Sequence, residues 1–401
     1  MRVLMVAHAF PPTIGGVETY LWDLTNHLGR RGHQAHCLVG DRNGLPDQYG
    51  LSSPLAGVTR HPELAPVALV GARGHVQRSA VAWALADRLT GLLEAAVAGF
   101  GPDLLHVHNA HHFGPELALA CFRAAAGRPL VNTVHDRLGE RLYPEVLDYP
   151  WHATLYVSEH VRAGLPSAAP IAAVLPPGID LATLGPEGPT DPRLAILAPP
   201  VVFHPARLLP WKGTMSGVEA FALLRGSLGA GSLVLCASAD TTADPAEAAA
   251  FRRQLEDRAF ELGVAERVVF VELAREQMAA AYRAADLVWA PTVDDESFGL
   301  APLEAMACGV PVVVSASGGM RETVEPGLSG LVVPKADPVA LAGAAVAVLA
   351  DTGLRARLVA GGLARAARFD AGDHARAVER AYAAAAAAAA MGEGVPGGRP
   401  A

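Results

Sequence analysis

Short apolar runs closed by glycine or proline alternate along this chain with longer stretches whose apolar residues recur every three or four positions. Residues 2–6 (Arg-Val-Leu-Met-Val) read as a buried strand, and residues 19–31 place Leu21, Leu24 and Leu28 at helical spacing. Gly32 closes that helix and 34–39 read as a second strand. Further strands are expected at 102–108, 129–136, 154–157, 200–206, 232–236, 267–271, 286–290 and 310–314. Helices are expected at 76–98, 214–224, 244–262, 275–285, 338–349 and 370–390. Val310, Val312, Val313 and Val314 have no polar alternation, the pattern of a parallel strand covered on both faces. Strands alternating with helices predict an α/β fold built on doubly wound, Rossmann-like parallel sheets.

At 401 residues the chain has room for two domains. The Gly/Pro-rich stretch Gly185-Pro186-Glu187-Gly188-Pro189 reads as the connection between them. We therefore expect an N-terminal domain over 1–185, a linker over 186–198 and a C-terminal domain over 199–369. A helix over 370–390 is expected to cross back to the first domain, and 391–401 read as a disordered Gly/Pro tail. The alanine run 383–390 has high helix propensity but little side chain to bury, so it reads as a helix extension and not as a membrane span. A net charge of −8 argues against a nucleic-acid partner. Arg73, Arg78 and Arg88 are scattered, Trp83 and Leu85 read as core, and membrane association is not expected. Cys37, Cys121, Cys236 and Cys308 are widely separated and read as reduced core residues. Because the chain opens on a strand and not on a leader, a cytoplasmic location is expected.

The chemistry concentrates at 294–313. Glu296-Ser297-Phe298-Gly299-Leu300 forms a loop that opens a helix, and Pro302 suits its first turn. The N–H groups of Phe298, Gly299 and Leu300 at such a terminus suit an anion, for which a diphosphate is the natural guest. Glu296 and Glu304, with seven residues between them, can accept hydrogen bonds from hydroxyls. Phosphate held by amides and hydroxyls held by carboxylates suggest a nucleotide sugar. A pair of helix-start charges is the plainer reading of the glutamates. The whole run, continuing through Leu303-Glu304-Ala305-Met306-Ala307-Cys308-Gly309-Val310-Pro311, resembles the signature of the retaining GT-B glycosyltransferases of family four.

That resemblance extends over about residues 1–334. It implies the GT-B fold, two Rossmann-like domains facing across a cleft, and a nucleotide-sugar co-substrate with neither metal nor cofactor. Pro11-Pro12-Thr13-Ile14-Gly15-Gly16-Val17-Glu18 resembles the family's opening loop, which implies donor contact at Gly15 and Gly16. By spacing alone this glycine pair lacks the third glycine of the dinucleotide fingerprint and reads equally as a turn. Arg207 and Lys212 resemble the family's Arg…Lys-Gly pair, which implies cations on the diphosphate, although Ala206 stands where a glycine is usual. Leu273, in the stretch that meets the nucleobase, carries over as a backbone contact.

Asp103, His106 and His108 resemble the family's Asp-x-x-His-x-His strand, followed by His111 and His112. The histidines invite a metal reading, but no regular ligand spacing supports it. His108 and His111 are expected near the acceptor. His135 and Asp136 end a strand, where ligands bind in open α/β sheets, and the resemblance implies that this histidine lies beside the donor sugar. A structural His–Asp pair is the alternative. Asp136 is also expected to shape the acceptor site, with Arg137, Glu140, Arg141 and Glu145 near it.

The implied reaction is hexosyl transfer with retention, with His135, Arg207, Lys212 and Glu296 as the reacting set. A UDP-sugar donor is expected on family frequency. An aminocyclitol or aminoglycoside precursor is the expected acceptor, and antibiotic biosynthesis its setting. A GT-B epimerase or synthase, and a silent nucleotide-sugar-binding protein, stay open as alternatives.

Overall fold

The computed structural model describes residues 1–13, 15–41, 55–65, 78–137, 143–237 and 245–392. The chain divides into two compact units: Met1–Gly178 together with Ala371–Ala401, and Ile179–Asp370.

The first unit is built on seven parallel strands: β1 (Arg2–Ala7), β2 (Gln34–Gly40), β3 (Leu55–His61), β4 (Leu104–His108), β5 (Leu130–Val134), β6 (Ala153–Tyr156) and β7 (Ile171–Val174). Their order is β3-β2-β1-β4-β5-β6-β7, so the sheet winds one way from β1 and then reverses. Central β1 is buried from Val3 to Ala7, as its unbroken apolar run requires when helices cover both faces. Helix α1 (Gly16–Arg30) buries Leu21, Leu24 and Leu28, the stripe its spacing predicts. It starts at Gly16 and not at Thr19, because the Gly15 carbonyl already accepts the Thr19 N–H at 3.0 Å. Helices α2 (Arg78–Phe100) and α3 (Pro115–Ala125) cover the other face through Leu89, Leu93, Leu117 and Cys121. Strand β3 had no clear signature, since its register with β2 shifts at Ala35/His36 and Gly57 adopts φ +148. Leu85 is core as expected, but Trp83 is 54% exposed and carries the Arg123 guanidinium 5.7 Å from its ring centre. Arg73, Glu140 and Arg141 lie outside the described residues.

The second unit holds β8 (Val201–His204), β9 (Ser232–Cys236), β10 (Val268–Val271), β11 (Leu287–Ala290), β12 (Val312–Ser315) and β13 (Leu331–Val333), in the order β10-β9-β8-β11-β12-β13. Its helices are α4 (Thr214–Leu228), α5 (Pro245–Glu261), α6 (Met278–Arg283), α7 (Leu300–Ala307), α8 (Pro338–Ala350) and α9 (Thr352–Ala366). The expected linker over 186–198 is instead part of this unit. The Arg283 guanidinium donates to the carbonyls of Gly185 (3.0 Å) and Pro189 (2.9 Å), and the Asp191 N–H donates to the Ala280 carbonyl at 2.9 Å. Asp191 also caps a one-turn helix, Pro192–Ala195, whose Leu194 is fully buried. Gly and Pro here serve packed turns, and the chain enters and leaves the unit side by side, with the Ile179 N–H on the Phe369 carbonyl at 2.8 Å.

The last helix, α10 (Ala371–Ala390), packs on α1 and on β5–β7 of the first unit. Its alanine run buries more than an extension would. Ala385 and Tyr382 are fully buried beside Leu21 and Leu24, and small side chains let the two helix backbones approach. Of the expected tail, 393–401 lie outside the described residues. We expect Tyr382→Ala to destabilise the first unit by about 3–5 kcal/mol, the usual cost of deleting a buried aromatic ring. Tyr382→Phe, which loses only the hydroxyl 2.7 Å from His106 Nδ1, should cost about 1 kcal/mol. Urea unfolding of the two variants reads the difference.

Among the described residues no single helix is long and apolar enough to cross a membrane. None of the four cysteines forms a disulfide, and all four are buried.

Candidate active site

In each unit most of the expected site residues follow the carboxyl ends of strands at or near the point where strand order reverses, the position where open α/β sheets bind ligands.

In the second unit that point lies between β8 and β11. Arg207 follows β8 and is partly buried. Lys212 ends a 3-10 turn, Pro210–Lys212, and Gly213 follows with φ +74. A side chain at Gly213 would place its Cβ 1.9 Å from the Pro291 carbonyl oxygen, so only glycine lets the turn sit against the loop after β11. Lys212 Nζ lies 2.5 Å from Glu296 Oε2 and 4.0 Å from the Trp211 ring centre. The Glu296 loop is fastened at both ends of its residue. Its N–H donates to Ser317 Oγ at 2.8 Å, and its carbonyl accepts the Gly319 N–H at 2.7 Å. Gly319 permits this, because a Cβ there would stand 2.1 Å from the Ser297 oxygen.

Gly299 leads into α7 at φ +97, the left-handed conformation that glycine tolerates. The N–H groups of Phe298, Gly299 and Leu300 donate to no backbone carbonyl among the described residues. Phe298 is buried edge-on against Phe369 at 5.7 Å, and Leu273 is buried too, so both can offer only their backbone to a ligand. Ser297 is partly buried beside them. Glu304 is held by a residue that sequence reasoning missed: the buried Tyr282 hydroxyl donates to its Oε2 at 2.7 Å. Burial, and then the neighbouring Glu304, push the Tyr282 hydroxyl well above its ordinary pKa, so it stays a donor. Tyr282 sits on a helix whose spacing says only that one face is core. Asp295 in the same loop is paired with Lys335.

In the first unit the reversal lies between β1 and β4. Gly15 caps α1 and Gly16 opens it. A Cβ on Gly15 would lie 2.2 Å from Glu18 Oε2. Buried Glu18 is 3.5 Å from His8 Nε2. Asn109, at φ +55 after β4, joins two strands: its Oδ1 accepts the His135 N–H at 2.7 Å and its Nδ2 donates to Asp136 Oδ2 at 3.0 Å. Asp136 Oδ1 lies 2.6 Å from His112 Nε2, and its carbonyl lies 2.9 Å from His111 Nε2. Burial pushes the Asp136 carboxyl up, but the His112 imidazole, with His111 and His135, holds it below the usual carboxylate range. The ligand atoms of His111, His112 and Asp136 lie within 4.8 Å of one another, close enough for a metal ion. Each of these residues is also accounted for by the hydrogen bonds just given.

His108 and His111, expected near the acceptor, are both fully buried. Strand alternation signalled His108 only as one face of β4, and both faces of that strand are covered. His108 instead lies 3.0 Å from His135, Nδ1 to Nε2. The Tyr20 ring stands edge-on to His135 at 4.6 Å, to His374 at 5.1 Å and to His108 at 5.8 Å. Burial lowers the imidazole pKa of His106 and His135 to about 3, and of His111 and His374 to about 4. Tyr20, His374 and Tyr382 escaped sequence reasoning, which read them only as helix positions.

Residues 192–364 match the family described as Glycosyl transferases group 1, and residues 14–183 match Glycosyltransferase Family 4. The D-inositol 3-phosphate glycosyltransferase of Xylanimonas cellulosilytica is 38% identical over 220 residues, 52% of this chain and 50% of that protein. The GDP-mannose-dependent alpha-(1-6)-phosphatidylinositol monomannoside mannosyltransferase of Mycolicibacterium smegmatis is 29% identical over 376 residues, 87% of this chain and 89% of that protein. Among solved structures, the sucrose-phosphate synthase of Thermosynechococcus elongatus superposes with a TM-score of 0.76 at 23% identity, covering 96% of this chain and 98% of its own. Anabaena Alr3699/HepE, solved with UDP and glucose, gives 0.73 at 21% identity over 96% and 99% of the two chains.

Proposed function

Because this chain belongs to the retaining GT-B glycosyltransferases of family four, we propose that it moves a sugar from a nucleotide diphosphate sugar to a hydroxyl of a small cyclitol acceptor. The observation that carries the reading is the cluster at the head of α7: Lys212 paired with Glu296, a row of N–H groups that donate to no backbone carbonyl among the described residues, and Glu304 presented by Tyr282. Amides and cations suit a diphosphate, and carboxylates suit the hydroxyls of a sugar and a ribose. In this proposal the second unit holds the donor. Arg207, Lys212 and the α7 terminus offset the charge that develops on the departing diphosphate. The acceptor hydroxyl gives its proton to that leaving phosphate on the face the phosphate vacates, so configuration is kept without a protein nucleophile. No metal is assigned a part.

The first unit takes the acceptor. Its ionised, partly exposed Asp136 suits hydroxyl or amine groups better than a phosphate. That supports an amino- or hydroxyl-cyclitol over the phosphate-bearing inositol named for one relative. The donor base is proposed as uridine, with guanosine, named for another relative, as the competitor.

A thermal-shift series with UDP, GDP, ADP and their sugars, with and without EDTA, tests the donor side. A ligand that binds only the folded chain raises its melting temperature. The expected result is a shift with UDP-sugars that EDTA leaves unchanged. Shifts with GDP alone would replace the donor assignment, and loss of the shift in EDTA would bring a metal into the site. Mass spectrometry of reactions with inositol, inositol 3-phosphate and an aminocyclitol then identifies the acceptor. Turnover of the nucleotide sugar without any acceptor would favour an epimerase or synthase instead.

A further inference from the structure

His108 is a fully buried histidine that no step above uses. Its Nδ1 faces His135 Nε2 at 3.0 Å, and its Nε2 is buried with no hydrogen-bond partner among the described residues. A neutral imidazole carries one proton, and the bond it makes with one nitrogen decides which. Two arrangements satisfy the His108–His135 contact. If His135 donated from Nε2, His108 Nδ1 would accept and the His108 proton would sit on Nε2. That would bury an N–H with no acceptor, an omission that folded proteins make less often than an unmatched acceptor. If His108 donates from Nδ1, what remains at its Nε2 is only a bare lone pair. His135 Nε2 then accepts, and the His135 proton must sit on Nδ1.

We infer that His108 is a positioning residue that fixes His135 as a neutral ring protonated on Nδ1, so that His135 presents an N–H donor at its other edge. His135 Nδ1 has no partner among the described residues, but unlike His108 Nε2 it is not one of the sealed atoms left without one, so a proton there is not orphaned in the same way. Its backbone is fixed as well, by the bond from its N–H to Asn109 Oδ1. The surrounding groups keep both rings neutral. Burial lowers the pKa of His135 and His108 first. The nearby Asp136 and Glu18 raise that of His135 only in part, while His8 and His111 lower it further. The remaining neighbours, His106, His374 and Tyr20, are bonded to one another or to other side chains. His106 bridges the Tyr382 and Thr133 hydroxyls at 2.7 Å each, and His374 Nε2 lies 3.1 Å from the Tyr20 hydroxyl. The consequence for activity rests on the proposed function: a donor on His135 would meet an oxygen of the transferred sugar, and the wrong tautomer would offer it a lone pair instead.

The test is a long-range proton–nitrogen spectrum of the full chain with labelled histidine at pH 7, with His108 and His135 assigned by His108→Asn and His135→Asn. The expected pattern is Nδ1–H for both rings. An Nε2–H signature, or an imidazolium, at either ring overturns the inference from the native chain alone. In His108→Asn, which keeps a donor near the Nδ1 position, His135 should stay Nδ1-protonated. In His108→Leu it should change tautomer, and kcat/KM should fall about 10–100-fold, the usual cost of losing a partner behind a site residue. UDP binding should be unaffected, since His135 is assigned to the sugar. A His135 that remains Nδ1-protonated in a folded His108→Leu chain would show that His108 does not set it. The spectrum needs no turnover, so a chain that transfers no sugar would overturn the proposed function and leave this inference standing.

Discussion

Lowering the pH from 7 towards 5 should strongly destabilise the first unit. His106, His111, His135 and His374 are buried there, and burial holds their pKa values at about 3, 4, 3 and 4. In the unfolded chain each returns to about 6.5. Above that value both states are neutral and these groups put no slope on stability. Below it the unfolded chain binds protons that the folded chain refuses, so stability falls as pH falls, until the folded values are reached. Each such group costs up to about 1.4 kcal/mol per pH unit, and four of them about 5 kcal/mol. A domain is usually stable by about 5–15 kcal/mol, so a drop of one to three pH units should exhaust it. Urea midpoints measured from pH 8 to 4.5 should be flat above about 7 and then fall steeply. His374→Phe, which keeps a ring and removes one titration, should make the fall shallower. A midpoint that does not move between pH 7 and 5 would mean that these rings are charged or hydrated in the folded chain.

Lys212→Ala should lower kcat by about 100–1,000-fold, the scale of losing one preorganised group that stabilises developing negative charge. Lys212 Nζ lies 2.5 Å from Glu296 Oε2, and neither side chain is more than 17% exposed. Removing the ammonium takes a cation from the proposed diphosphate position. It also leaves the Glu296 carboxylate there with its charge uncompensated, so the ligand meets repulsion in place of attraction. Lys212→Arg should recover part of the rate, because it restores charge but not the compact ammonium geometry. Glu296→Gln keeps the shape and removes the repulsion, so the double variant Lys212→Ala/Glu296→Gln should turn over faster than Lys212→Ala alone. The check is steady-state transfer with the donor found by thermal shift. Near-normal turnover in Lys212→Ala would remove this lysine from the mechanism.

Local pattern along the chain was enough to locate the buried strands, the inward faces of the helices and the glycine-led start of α7. Unbroken runs such as Val312–Ser315 and the leucine spacing of α1 report burial of their own segment. Gly299 and Glu296 flank a local turn whose chemistry is written in adjacent residues. What lay beyond local pattern came from the winding of the sheets. Lys212 meets Glu296 across 84 positions only because β8 and β11 are neighbours at the reversal point. Tyr282 reaches Glu304 because α6 packs on α7. The presumed linker at 186–198 is anchored by Arg283, which no Gly/Pro count could foresee. Above all, Tyr382 stands 276 positions from His106, on a helix whose alanines looked unable to hold anything. Its place under the first sheet, and with it the buried network beside His135, was decided by tertiary packing, because periodicity records that a face is covered and not what covers it.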